Sequence, residues 1–306
     1  MRPAWSVLFF TTLAGAGQGL FLALVAGDYL LGLPRPWLAT GAAASVALTF
    51  AGLVSSTFHL GHPERGWRAA SQWRTSWLSR EVIVLPVFLT TAFLWGVGLW
   101  QGWPERVVDL VAVAGSLLAI ALFACTAMIY ACLPFLQEWR TPLTVFNYTA
   151  LGLATGTFAA ALLAALSHPS AAPGYATAAL VAGSVAYLGR LASLARNARL
   201  RPKSTLATAI GVKHPRIVQI AQGAMGGSFN TREFFHGRPR EVVRAYRVAL
   251  LALVLPVPAL LVLAGGATVP ALGAALAAHY AGVLAERWYF FAEARHPQNI
   301  YYQAIA

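Results

Sequence analysis

The chain has 306 residues, of which 58% are hydrophobic and 10% charged, where soluble domains usually carry about 25% charged residues. A water-soluble fold of this size would lack the polar groups to cover itself. The formal charge of +12 comes without a recognisable nucleic-acid-binding motif, so on this apolar background it fits membrane topology and an acidic docking partner, not nucleic acid.

Eight apolar stretches have roughly the 20-residue length that crosses the hydrocarbon of a bilayer, with turn residues or charges between them. The first, Ser6–Leu31, follows Arg2 and contains Ala14-Gly15-Ala16, which resembles a signal-peptide cleavage site. Its apolar run continues to Leu31, so an uncleaved first helix is expected. Trp37–Leu60, Arg80–Trp100, Val107–Leu133, Pro142–Leu166, Tyr175–Ala195, Val242–Gly265 and Val269–Phe290 follow. The expected fold is an all-α integral membrane protein of eight transmembrane helices, with residues 1–306 forming one membrane domain. Cys125 and Cys132 lie on one helix at a spacing that forbids pairing, and two thiols are too few for a zinc or iron–sulfur site. The first four and last four stretches show no residue-level repeat. Nor do they share Gly/Pro-broken helices at corresponding positions, which weakens a secondary-transporter reading.

An even number of spans puts both termini on one side, and the loops then sort into two groups. The terminal side carries Arg2, Arg65, Arg68, Arg74, Arg80, Arg140, twelve basic residues from Arg190 to Arg247, Arg287 and Arg295; the opposite side carries Arg35 and Arg106. Basic loops stay in the cytoplasm, so both termini are expected there, in a bacterial inner membrane. The long cytoplasmic loops are then 61–79 between helices two and three and 196–241 between helices six and seven. They are the expected docking surfaces.

The most informative segment closes helix two with His59-Leu60-Gly61-His62-Pro63-Glu64-Arg65 and runs through a basic, tryptophan-rich loop to Ser79-Arg80-Glu81. Reducing a quinone takes two electrons and two protons, so its carbonyls need titratable partners while its ring and tail need an apolar slot. His59 and Glu81, at the hydrocarbon boundary, suit that chemistry, and histidine titrates near neutral pH. There are blander readings. A helix-end histidine can interact with terminal carbonyls, and Glu81 beside a Ser79 cap can answer the helix dipole. Trp67, Trp73 and Trp77 can be interfacial anchors, and Arg74 and Arg80 topology signals or headgroup contacts.

Haem is the rival cofactor. Only His59 and His279 fall within or at the edge of a span, and His279 lies near the middle of the eighth, so the two differ in depth and no haem is expected. In the long loop, Gly223–Asn230 is glycine-rich but lacks the Gly-Lys-Ser/Thr of a P-loop. Phe234 and Phe235 beyond it are read as part of an exposed docking surface.

The run His59-Leu60-Gly61-x-Pro63-x-Arg65, followed by Leu78-Ser79-x-Glu81, resembles the membrane anchor subunit of the dimethyl sulfoxide reductase family. The eight-helix plan and the lack of haem ligands agree along the full length, while the specific motif covers a short part of it. The resemblance implies an anchor without a redox centre of its own: a molybdopterin catalytic subunit passes electrons through an iron–sulfur subunit to a quinone, ubiquinone or menaquinone, held by the anchor. The family's quinone-site histidine carries over to His59 and its acidic residue to Glu81. Ser79 and Arg65 match the motif, and Arg74 and Arg80 complete the basic surround. In the resembling dimethyl sulfoxide reductases the catalytic subunits dock on the periplasmic face, whereas here the charges place the motif on the cytoplasmic face. That departure favours the cytoplasmic sulfite-oxidising relatives, which reduce quinone, over reductases of dimethyl sulfoxide or other S- and N-oxides that oxidise menaquinol.

Overall fold

A computed structural model describes residues 5–58, 60–201, 203–214, 216–218, 220, 235 and 238–295. Among them there is no strand, and eight helical spans are long and apolar enough to cross a membrane. Six are single helices: α1 (Trp5–Leu31), α2 (Arg35–Thr57), α3 (Trp77–Gln101), α4 (Glu105–Ala131), α5 (Pro142–Ser167) and α6 (Ala172–Asn197). A short helix, α7 (Leu206–Ile210), precedes a seventh span made of α8 (Arg240–Val254) and α9 (Pro256–Gly265), and α10 (Val269–Ala292) is the eighth. The face where α1 starts and α10 ends is the basic face. On the opposite, far face the spans are joined by the brief connections 32–34, 102–104, 168–171 and 266–268.

The eight spans form two antiparallel groups of four, α1 to α4 in one and α5, α6, α8–α9 and α10 in the other, and the pattern of neighbours in one group is repeated in the other. The groups meet chiefly where α1 packs on α5, with α4 against α5 and α10 against α1 in equivalent places. Residue identity does not repeat, so the resemblance between halves lies in topology alone.

The α1–α5 contact depends on small residues. Lipid tails are as apolar as leucine, so helices in a bilayer associate through close packing, and Gly-x-x-x-Gly permits the closest approach. Gly15 and Gly19 on α1 face Gly152 and Gly156 on α5; a β-carbon on Gly19 or Gly156 would overlap the other helix's backbone. Gly17, on another side of α1, accepts a hydrogen bond from Ser45 Oγ of α2 at 2.7 Å through its carbonyl. Leu110, Val113, Leu117 and Ile120 of α4, and Val181, Val185 and Leu188 of α6, are exposed apolar side chains that suit contact with lipid tails.

The seventh span departs from the single helix expected. Proline has no N–H, so Pro258 leaves the Val254 carbonyl without its i+4 donor, and the helix breaks at Leu255 (φ −141°, ψ −53°). His279 of α10 takes the missing donor's place, its Nδ1 lying 2.6 Å from the Val254 oxygen. Its Nε2 lies 3.1 Å from Thr155 Oγ1 on α5. The one intramembrane histidine described is therefore held by both ring nitrogens as a latch between spans. The corresponding span of the first half, α3, contains Pro86 yet stays continuous.

Replacing Gly156 by alanine is expected to force α1 and α5 apart at a cost of about 1–3 kcal/mol, read as a lowered unfolding midpoint in detergent. Gly273→Ala, where the added carbon meets only Leu162 at an ordinary 3.8 Å, should leave the midpoint unchanged.

Candidate functional site

α3 begins earlier than its sequence suggests. Ser76 in extended conformation is the N-cap, its side chain accepting from the Ser79 amide at 3.4 Å, and the helix runs from Trp77. Ser79 is therefore a buried residue of the first turn and not the cap. Glu81 falls in the second turn, past the reach of the helix-dipole reading. It is 3% exposed, turned into the bundle, and its carboxylate accepts a hydrogen bond from Thr126 Oγ1 of α4. A carboxyl group is held inside the protein, near the basic face, with a hydroxyl directed at it.

Outside it, residues 63–72 form a 3-10 helix within the stretch expected as a plain loop. His62 and Glu64 pair at 3.0 Å and Arg65 lies 3.7 Å from Glu64, all three exposed. Arg74 lies over Trp73 at 5.4 Å, as Arg68 does over Trp67 at 5.6 Å. Arg80 donates to the carbonyls of Trp73 and Arg74 at 2.9 and 2.8 Å and lies 4.3 Å over the Trp77 ring. It thus ties the end of the loop to the start of α3. The structure brings Glu81 together with Thr126. Arg65 engages Glu64, and Arg74 engages Trp73. His59 lies outside the described residues. Its neighbours Phe58 and Leu60 are exposed, as is Leu78 at the start of α3.

Behind Thr126 lies a polar interior. A cavity of about 20 Å³ touches α1, α4, α5 and α10 and is lined by Thr126, Gln18, Tyr148, Thr155 and Arg287 among others. Next to it, a space of about 10 Å³ is bounded by Asn147, Tyr148, Arg190, Glu286, Arg287 and Glu293. Each is the size of a single water molecule. Arg190 Nε lies 3.3 Å from Glu286 Oε1, Arg190 Nη2 lies 3.0 Å from Glu293 Oε1, and Arg287 Nε lies 3.4 Å from Glu286 Oε2. Arg287 also covers the Tyr148 ring at 3.5 Å. At Glu293, just past the end of α10, burial pushes the carboxyl above the usual carboxylate range, against the opposing pull of the Arg190 guanidinium.

Arg190 and Arg287 sit inside the bundle, so they are not the loop charges that the topology count takes them to be. A search of the sequence for haem ligands alone passes over this cluster. The available signal was the presence of Arg190 and Glu286-Arg287 within apolar spans, where charged residues are rare and pair with one another. Phe235, expected in an exposed docking surface, is instead half-buried and meets Trp288 edge-on at 5.1 Å and Tyr246 at 5.6 Å. Phe234 and Gly223–Asn230 lie outside the described residues.

The described residues thus form eight helical spans with a buried carboxyl group near the basic face and a basic, aromatic loop before α3. Residues 1–292 match the family described as the DMSO reductase anchor subunit (DmsC), and this chain belongs to that family. Over 327 aligned positions covering all of both chains, it is 50% identical to a sulfite dehydrogenase subunit of Allochromatium vinosum. No solved structure matches it significantly.

Removing one partner of a buried ion pair leaves the other charge uncompensated, at about 3–5 kcal/mol. Glu286→Leu, which strips both Arg190 and Arg287 of a counter-charge, is expected to lower the unfolding midpoint far more than Glu64→Leu on the exposed loop, measured by thermal unfolding of the purified chain.

Proposed function

We propose that this chain is the quinone-reactive anchor of a three-subunit molybdenum and iron–sulfur oxidoreductase, and that it delivers electrons from sulfite to the quinone pool. The observation that carries the reading is Glu81: a carboxyl group buried near the basic face of a membrane bundle and hydrogen-bonded by Thr126. Intramembrane ionisable groups are costly, and where they occur they mark sites of function. The full-length similarity to a subunit of a sulfite dehydrogenase supports the choice of electron donor.

Quinone reduction adds two electrons and two protons. The chain's part is to hold the ring where electrons arrive and to place protons at its two oxygens. His59 at the end of the second span is assigned to one carbonyl, and Glu81 gives up a proton at the site and is then reprotonated. Phe58, Leu60 and Leu78 meet the ring and tail. The cavity behind Thr126 is water-sized, so it serves protons and not the ring. Arg80 ties the loop to the start of α3, and Arg65, Arg68 and Arg74 present positive charge to the docking subunit.

The iron–sulfur subunit is assigned to loops 61–79 and 196–241, with the molybdopterin subunit beyond it, on a basic face that is cytoplasmic by the excess of Lys and Arg. A menaquinol-oxidising reductase of dimethyl sulfoxide would run the same site in reverse. In the relatives that do so, however, the motif faces the periplasm. A solitary transporter fits poorly with a chain that belongs to an anchor-subunit family.

His59→Ala and Glu81→Gln, tested in the assembled complex, are expected to lower sulfite-driven quinone reduction by about 100-fold or more, the scale of a lost proton donor. Sulfite-driven reduction of a soluble dye should be retained. Equal loss of both activities would sink the assignment of these residues to the quinone.

A further inference from the structure

A carboxyl group that gives a proton to quinone must be reprotonated before the next turnover. Glu81 is 3% exposed, so its proton must come by way of the groups packed against it. The hydroxyl that donates to Glu81 belongs to Thr126, and Thr126 also lines the 20 Å³ cavity.

The cavity's lining is distinctive. Thr11, Thr12 and Thr155 have their hydroxyls engaged by carbonyls of their own helices. Gln18 Oε1 and Arg287 Nη1, both buried, have no hydrogen-bond partner among the described residues, and the buried Tyr148 Oη is close to the Tyr130 hydroxyl and Arg287 without a bond of good geometry to either. An acceptor, a hydroxyl and a cationic donor around a space of this size suit one water molecule, which makes two to four hydrogen bonds. Tyr148 also borders the second, 10 Å³ space. There, both carboxylate oxygens of Glu286 are ion-paired yet lack a hydrogen bond of good geometry, as does Asn147 Oδ1. That space ends at Glu293, whose side chain is 9% exposed beyond the end of α10.

We propose that Thr126, Tyr148 and Glu286, joined by one water molecule in each cavity, form a proton relay that recharges Glu81 from Glu293 through the second half of the bundle. Each hydroxyl passes a proton on one side and takes one on the other, so no bond is made or lost along the chain after a full turn. One of the two protons that each quinone takes up travels this way, the other being supplied at His59, and the two electrons come from the partner's iron–sulfur centre. Arg190 and Arg287 both pair with Glu286. Arg287 stacks on the Tyr148 ring and leaves the phenol oxygen as the link between the two spaces. The relay rests on the quinone assignment of Glu81 made above.

The test uses the assembled complex in its membrane with Tyr148→Phe, Thr126→Val and Thr126→Ser, measuring sulfite-driven quinone and dye reduction in H2O and in D2O. Phe and Val each remove a hydroxyl while keeping shape. Both are expected to slow quinone reduction at least about tenfold, toward the low end of what a lost proton-transfer group costs. The solvent isotope effect should rise, the KM for quinone and dye activity should stay unchanged, and Thr126→Ser should restore the rate. Wild-type rate and isotope effect in Tyr148→Phe would overturn the relay, as would equal loss of dye and quinone activity, which marks a structural role. If Glu81→Gln itself reduces quinone normally, the quinone assignment fails and the relay with it. A dead Glu81→Gln beside a normal Tyr148→Phe refutes the relay alone.

Discussion

The rest of the structure depends on the close crossing of α1 and α5. In a bilayer there is no solvent to drive apolar surfaces together, so the bundle's centre is held by contact distance. Gly15 and Gly19 against Gly152 and Gly156 bring two backbones together with no side chain between them. The two groups of four helices then pack around this pair, α2 drawn in by Ser45 on the Gly17 carbonyl and α10 by His279 on Thr155.

That crossing also explains where polarity is tolerated. Toward the far face the interior is filled by Phe21, Leu24, Phe88, Trp95 and Phe158, with Phe21 and Trp95 edge-on at 5.1 Å. Toward the basic face the wall changes to Thr11, Thr12, Gln18, Thr126, Tyr148 and Arg287. The interior thus has an apolar half and a polar half along one axis. Glu81 and the Arg190–Glu286–Arg287–Glu293 cluster both fall in the polar half, where the cost of burying charge is offset by pairing.

Much of this was legible in the sequence because the membrane imposes simple rules. Span length is fixed by the hydrocarbon, so eight spans could be read directly, with Pro142, Gly265 and Val269 found as helix ends where they were expected. The burial of Glu81 was not legible, since a carboxyl near the start of an apolar run also suits a helix dipole, and only its place in the second turn sets that reading aside. What stayed hidden depends on three-dimensional neighbours. The Ser76 cap could not be told from Ser79 because both are serines before an apolar run. The partner of Glu81 is 45 positions away in Thr126, an unremarkable residue in sequence. The break at Leu255 follows from Pro256 and Pro258, but its consequence for His279 required knowing that α10 lies alongside.

The brief far-face connections join α1–α2, α3–α4, α5–α6 and the final two spans as four helical hairpins. Arg190 belongs to the third hairpin, while Glu286 and Glu293, its two counter-charges, belong to the fourth and the residue just past it. Taken alone, the third hairpin holds a buried guanidinium without these two counter-charges. Closure of the bundle against the eighth span is therefore also the step that neutralises Arg190.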